Sequence, residues 1–113
     1  MGPIYIIMFW DFLTIIMRII SRSTLREFWE RHADAKDPLL AWYREVVKAD
    51  WDTPVKIQDR YPNASILGDN RVVFNIKGNA YRLVVKINYP GRIVYVRFVG
   101  THADYDRVNV REV

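Results

Sequence analysis

Residues 71–100, RVVFNIKGNAYRLVVKINYPGRIVYVRFVG, decide the fold. Three runs rich in Val, Ile, Tyr and Phe (Arg71–Ile76, Tyr81–Asn88 and Arg92–Val99) are separated by Lys77-Gly78-Asn79 and Tyr89-Pro90-Gly91. Such runs bounded by Gly, Pro and Asn read as strands joined by tight turns, so the stretch predicts an antiparallel three-stranded meander. Side chains alternate across a strand. Tyr81, Leu83, Val85 and Ile87 therefore fall on one face, and Arg82, Val84 and Lys86 on the other. The same rule in the last strand puts Ile93, Tyr95, Arg97 and Val99 on one side and Val94, Val96 and Phe98 on the other. One face is then apolar, for helices to cover. The other presents Arg82, Lys86, Tyr95 and Arg97 as a basic, aromatic surface.

Upstream of the meander the period changes from two to that of a helix. Leu25, Phe28 and Trp29 recur at i, i+3, i+4 through about His32, with Thr24 and Glu27 spaced as a capping box. Asp37-Pro38 has the form of an N-cap followed by proline at the first helical position, opening a helix in which Leu39, Trp42, Tyr43 and Val46 share a face. Thr53-Pro54 opens a third, short helix that must end before Tyr61-Pro62, because the residue before proline is pushed out of helical space. Met17–Ile20 is a short β-branched run ended by Ser21-Arg22-Ser23, the pattern of a first strand. The expected architecture is α+β: helices packed on one face of an antiparallel sheet, with Met17–Ile20 at its edge.

At 113 residues there is room for one core only. Residues 1–16 stand apart, because they are strongly apolar and carry a single charge, Asp11. That charge divides the run into pieces too short for the ~20 apolar residues of a membrane span, and no basic region precedes it as in a secretory signal. The expectation is a non-domain extension, with Met17 as a second candidate start and the domain at 17–113. Trp10 falls in that extension.

Composition narrows the chemistry. Cysteine is absent, which excludes a disulfide scaffold, a thiolate metal site and a thiol nucleophile. Two histidines, His32 and His102, fall in different predicted elements, so no metal is expected. Seventeen Lys and Arg against thirteen Asp and Glu give a net charge of +4, which favours a polyanionic partner. No Gly-rich phosphate loop or Ser/His/Asp order is present.

The segments STLREFWE, PLLAWY, ADWDTP, NRVVFNIKGNAYRLVVKINY and IVYVRFVGTHADYD resemble the HigB family of toxins, whose fold is related to the RelE endoribonucleases. The resemblance runs from Met17 to the end. It implies a RelE-like α+β fold and a toxin of a type II toxin–antitoxin module: a cytoplasmic, metal-independent endoribonuclease cutting mRNA on the ribosome, with no cofactor. Its partner would be a HigA-like helix-turn-helix antitoxin, with operator DNA reached only through their complex.

Metal-free RNA cleavage uses the substrate's 2′-hydroxyl as nucleophile, so the enzyme must supply a base, an acid and charge for the phosphorane. Arg82 offers a planar bidentate donor at mid-strand, where a RelE-like strand arginine followed by an apolar run would fall, and Arg97 on the next strand offers a second. His102 and Tyr105, just past the last strand, are the candidates for proton transfer. Asp104 and Asp106 flank Tyr105, an arrangement that helps only if they orient a catalytic group. Lys77, Lys86 and Arg71 are candidates for holding RNA phosphates. His32, Trp29, Trp42 and Trp51 read as structural. The rival reading is a non-catalytic module that binds nucleic acid or antitoxin through the same basic face.

Overall fold

A computed structural model describes residues 15–113. The expected extension falls, for residues 1–14, outside the described residues, as does Trp10. Among the described residues no helix is long and apolar enough to cross a membrane. The chain enters the fold at Ile16 and Met17, whose amides both donate to Val47 O at 2.8 and 3.2 Å. Met17 is fully buried, and its Sδ accepts from the Trp51 amide at 3.4 Å.

Strand β1 (Arg18–Ile20) leads to α1 (Arg22–Arg31), a 3₁₀ turn (Ala33–Ala35), α2 (Lys36–Lys48) and α3 (Pro54–Arg60). Then come β2 (Ser65–Ile66), β3 (Arg71–Ile76), β4 (Tyr81–Asn88), β5 (Ile93–Thr101) and α4 (His102–Arg107). The five strands form one sheet in the order β1-β5-β4-β3-β2. All neighbours are antiparallel except β1 and β5, which run parallel. This is the expected α+β sheet with its first strand at the edge.

Two helix starts differ from the sequence reading. Helix α1 begins two residues before Thr24, and its N-cap is Ser21, held at φ 72 with no side-chain cap bond, so Thr24 and Glu27 form no capping box. Helix α2 runs straight out of the 3₁₀ turn with Ala35 as its N-cap, which leaves Asp37 and Pro38 inside its first turn. Proline is tolerated there because the amide it lacks has no intrahelical partner in any case. At α3 the structure agrees, with Thr53 as N-cap and Pro54 first.

The core is a single cluster between the helices and one face of the sheet. Leu25 and Phe28 of α1, Leu39, Trp42 and Val46 of α2, and Ile57 of α3 pack on Val72, Phe74, Leu83, Val85, Ile87, Val94 and Val96. Phe74 lies at its aromatic centre, with ring centroids of Trp42, Trp51 and Tyr61 at 5.5, 5.9 and 5.1 Å. Centroid spacings of 4.5–7 Å are the range in which aromatic pairs attract beyond simple area burial. The His32 ring stacks at 4.4 Å on Phe28 and lies edge-on at 5.6 Å to Tyr81.

The opposite face departs from strict alternation. Val85 pairs with Val96 but Val84 pairs with Phe98, so Arg97 is the extra residue of a β-bulge. A bulge exchanges the two faces beyond it. Val94, Val96 and Val99 lie on the core side, while Tyr95, Phe98 and Gly100 join the face of Arg82. Nor is that face an open basic surface. Val73 and Val84, paired across β3 and β4, are buried outside the main core cluster. The chain beyond α4 ends with Val113 O accepting from Arg71 Nη2 (2.9 Å) and Nε (3.3 Å). Residues 108–113 therefore cross this face from the Gly100 row to the Arg71 row, over the valine pair.

Candidate functional site

The site is organised by one row of residues across the sheet. Asn75 of β3 is paired with Arg82 of β4, and Arg82 with Gly100 of β5. The next residue, Thr101, caps α4: its side chain accepts from the Asp104 amide at 3.0 Å, and Asp104 Oδ2 accepts from the Thr101 amide at 3.2 Å. This reciprocal box holds the Asp104 carboxyl below the usual carboxylate range, with the bond from Thr101 as the largest cause. The His102 amide donates to Ala80 O at 3.3 Å, which ties the start of α4 to the start of β4. Arg82 and His102 thus sit at the same end of the sheet.

Within α4 the half-buried positions are Asp104 and Tyr105, followed by the C-cap Val108, whereas His102, Ala103, Asp106 and Arg107 are exposed. The helix accordingly lays its Asp104–Tyr105 side on the protein and turns His102 to solvent. His102 Nδ1 lies 3.2 Å from Asp106 Oδ2, one turn on, with the two side chains 53% and 62% exposed. That contact sets a carboxylate beside Nδ1, and a proton held there leaves Nε2 as the lone pair of the neutral imidazole. Asp104 and Asp106 are thereby resolved into separate roles, one capping the helix and the other orienting the imidazole. The i,i+4 spacing of His102 and Asp106 on a short helix was the signal for this pair.

Arg82 is half-buried, and its Nη1 donates to Asn79 O and Tyr81 O at 3.2 and 3.3 Å. Neither Arg82 nor Arg97 has a carboxylate partner among the described residues. Arg97, exposed on the bulge, sits three residues before the strand position facing Arg82, about 10 Å along β5. The two guanidinium groups are therefore not a cross-strand pair, as strict alternation would make them.

The three phosphate candidates are all engaged. Lys77 Nζ lies 2.6 Å from Asp34 Oδ2, and Tyr81 Oη donates to the other oxygen of the same carboxylate. Both bonds, that from Lys77 first, hold Asp34 below the ordinary range, and the bond to Asp34 raises the Tyr81 hydroxyl. Asp34 was not singled out from sequence, because its partners are more than forty residues away. Lys86 Nζ is 3.2 Å from Asp69 Oδ2. Arg71 corrects its expected role: it is 6% exposed, bound to Asp69 at 2.5 Å and to Val113 O, and so anchors the C-terminal segment rather than facing a ligand.

Gly100 is a point of close approach. A Cβ there would lie 2.6 Å from Phe98 Cζ and 3.0 Å from Asp104 Cβ. Gly100→Ala is expected to destabilise the fold by about 1–3 kcal/mol, the usual range for overpacking. Combining it with Phe98→Leu should recover part of the loss in denaturant unfolding. A Gly100→Ala protein with an unshifted unfolding midpoint would show that α4 and Phe98 do not press on the strand.

Compared with known families, residues 35–108 match the HigB toxin family, described as the RelE-like toxic component of a toxin–antitoxin system. The chain belongs to the HigB toxin family. The matched stretch covers the row Asn75–Arg82–Gly100 together with Arg97, His102 and Tyr105. This HigB-family chain is 26% identical over 94 residues to mRNA interferase HigB of Escherichia coli O6:H1, a match covering 81% of the chain and 91% of the relative. It is 27% identical over 92 residues to mRNA interferase toxin HigB of Escherichia coli K12 and to mRNA interferase HigB of Shigella flexneri, covering 80% of the chain and 88% of each relative.

Proposed function

We infer that this HigB-family toxin is a metal-independent endoribonuclease that cuts mRNA on the ribosome in the cytoplasm and is neutralised by a HigA-like helix-turn-helix antitoxin. Operator DNA would be met only through that complex. The names of the relatives support RNA cleavage, and the matches take in most of each relative's length. The observation that carries the reading is the shared end of the sheet: Arg82 faces Gly100, and the chain turns there into a capped helix that begins with His102.

The chemistry follows from these groups. His102 Nε2 takes the proton of the substrate's 2′-hydroxyl while Asp106 steadies the resulting imidazolium. The 2′-oxygen attacks the adjacent phosphorus, and Arg82 places two parallel N–H donors on the charge that develops there. The 5′-oxygen leaves with a proton from Tyr105, giving a 2′,3′-cyclic phosphate and a 5′-hydroxyl. Arg97, displaced along β5, holds a neighbouring phosphate. Lys77 and Lys86 add a weak, salt-dependent attraction in which phosphate competes with Asp34 and Asp69.

Purified protein incubated with ribosome-bound mRNA is expected to yield fragments with 5′-hydroxyl ends, mapped by ligation that requires prior phosphorylation. The same RNA without ribosomes should be cut far less. Intact RNA in both reactions, or fragments with 5′-phosphates, would overturn this mechanism.

A further inference from the structure

The row that carries Arg82 does not stop at Asn75. Beyond it, where β2 has not yet joined the edge of β3, lies a cleft of about 360 Å³ between the turn after α3 and the β3–β4 hairpin. Its lining includes Asn63, Asn75 and Asn79, together with Tyr61 and Arg60. All three asparagines are exposed, and none of their side chains makes a hydrogen bond among the described residues. The Arg60 guanidinium lies 5.1 Å above the Tyr61 ring and is paired with Glu45, its Nη2 donating to Oε2 at 2.8 Å, so it forms a flat, charge-compensated surface at the rim.

We propose that this cleft receives an RNA base flanking the scissile phosphate and selects it by hydrogen bonds from Asn63, Asn75 and Asn79. The proposal rests on the nuclease reading and adds to it a specificity subsite. A carboxamide offers a donor and an acceptor side by side, the pattern that matches a base edge bidentately, and a free carboxamide has nothing to give up when the base arrives. Sequence-specific RNA recognition takes unstacked bases of single strands against aromatic or guanidinium planes, and the Arg60 guanidinium, backed by the Tyr61 ring, is such a plane at the rim. Position fits as well. Cross-strand partners have Cβ atoms about 4.5–5.5 Å apart, so a phosphate on Arg82 leaves its neighbouring nucleoside within reach of Asn75. Asn79 lies in the hairpin turn, and its carbonyl accepts from Arg82, which links the base cleft to the phosphate site directly.

Two measurements test this. Mapping of 5′ ends after cleavage should show one fixed position beside the cut with a strong base preference. Asn75→Ala with Asn79→Ala should flatten it and reduce cutting at the preferred sites by about 5- to 150-fold, the worth of one good bidentate contact. Circular dichroism melting checks that the variant is folded; an undiminished bias in the folded double variant overturns the proposal. Independently of cleavage, Arg82→Ala protein titrated with each of the four ribonucleoside 5′-monophosphates should show shifts of the Asn63, Asn75 and Asn79 amide resonances that differ among bases. Shifts absent there, or the same for all four, overturn the subsite. If the wild-type protein cuts no RNA, the nuclease reading falls, and the titration alone decides whether the cleft takes a base.

Discussion

Arg82→Ala is expected to slow RNA cleavage by about 10³-fold, the upper range for losing a preorganised donor to a developing oxyanion. Charge and fixation together single out this arginine among the cations of the sheet, because Arg97 also lacks a carboxylate but is exposed and its side chain makes no hydrogen bond among the described residues. Lys77, Lys86 and Arg71 each sit on a carboxylate, so their charge is already spent on Asp34 or Asp69. Arg82 has no such partner among the described residues and is held only by two carbonyls, at 3.2 and 3.3 Å. An arginine fixed in direction yet uncompensated in charge is suited to meet a phosphate. Its loss removes little from the fold, because both bonds are long and the side chain is only half-buried; about 1 kcal/mol or less is expected in denaturant unfolding. Arg82→Lys separates geometry from charge. A lysine restores a point cation but not a planar pair of donors, so it should remain at least about tenfold below the parent. Single-turnover cleavage of one defined mRNA measures all three proteins. A folded Arg82→Ala enzyme with the parental rate would remove Arg82 from the mechanism.

The row through Arg82 was half legible in the sequence. Strands β3 and β4 could be placed because their runs are rich in β-branched and aromatic residues, the turn between them carries Gly and Asn, and their pairing has no inserted residue. Arg82 could therefore be assigned its face. Strand β5 could not be followed to its end, since a period-two rule has no means of registering an inserted residue. The bulge at Arg97 moved that side chain along the strand and brought Phe98 and Gly100 to the face in its place. The burial of Val73 and Val84 was hidden for a different reason: what covers them lies at the end of the chain and is held by Arg71, a contact across 42 residues that no local pattern encodes. The same holds for the cleft, whose walls come from the turn after α3 and from the β3–β4 hairpin. Helix α4 is the opposite case. Thr101 and Asp104 have capping-box spacing, and His102 and Asp106 have the spacing of one helical turn, so the local chemistry of the site was written within six residues.

That local chemistry leads to the second large effect. His102→Gln is expected to lower cleavage by about 10²- to 10⁴-fold, the range for a positioned proton-transfer group. Glutamine keeps a polar, hydrogen-bonding side chain at the exposed start of α4, so the fold should be unaffected. The neighbours are ranked by the same reasoning. Tyr105→Phe removes only a hydroxyl from a half-buried ring and should cost about 10²-fold if that hydroxyl protonates the leaving oxygen. Asp106→Asn should cost far less. An ion pair as exposed as His102–Asp106 is worth about 0.2–1 kcal/mol, which caps the loss at about fivefold. The order His102, Tyr105, Asp106 is what a solvent-facing imidazole steadied by a weakly coupled carboxylate requires. A buried relay would instead make the aspartate nearly as costly as the histidine. A non-catalytic binding module would tolerate His102→Gln and Tyr105→Phe together. Single-turnover rates for the three single variants and the double variant therefore decide between a nuclease and a binder. Losses that are steep at His102, smaller at Tyr105 and slight at Asp106 place the base at Nε2 of His102, and a double variant that cuts at the parental rate would remove proton transfer from α4 altogether.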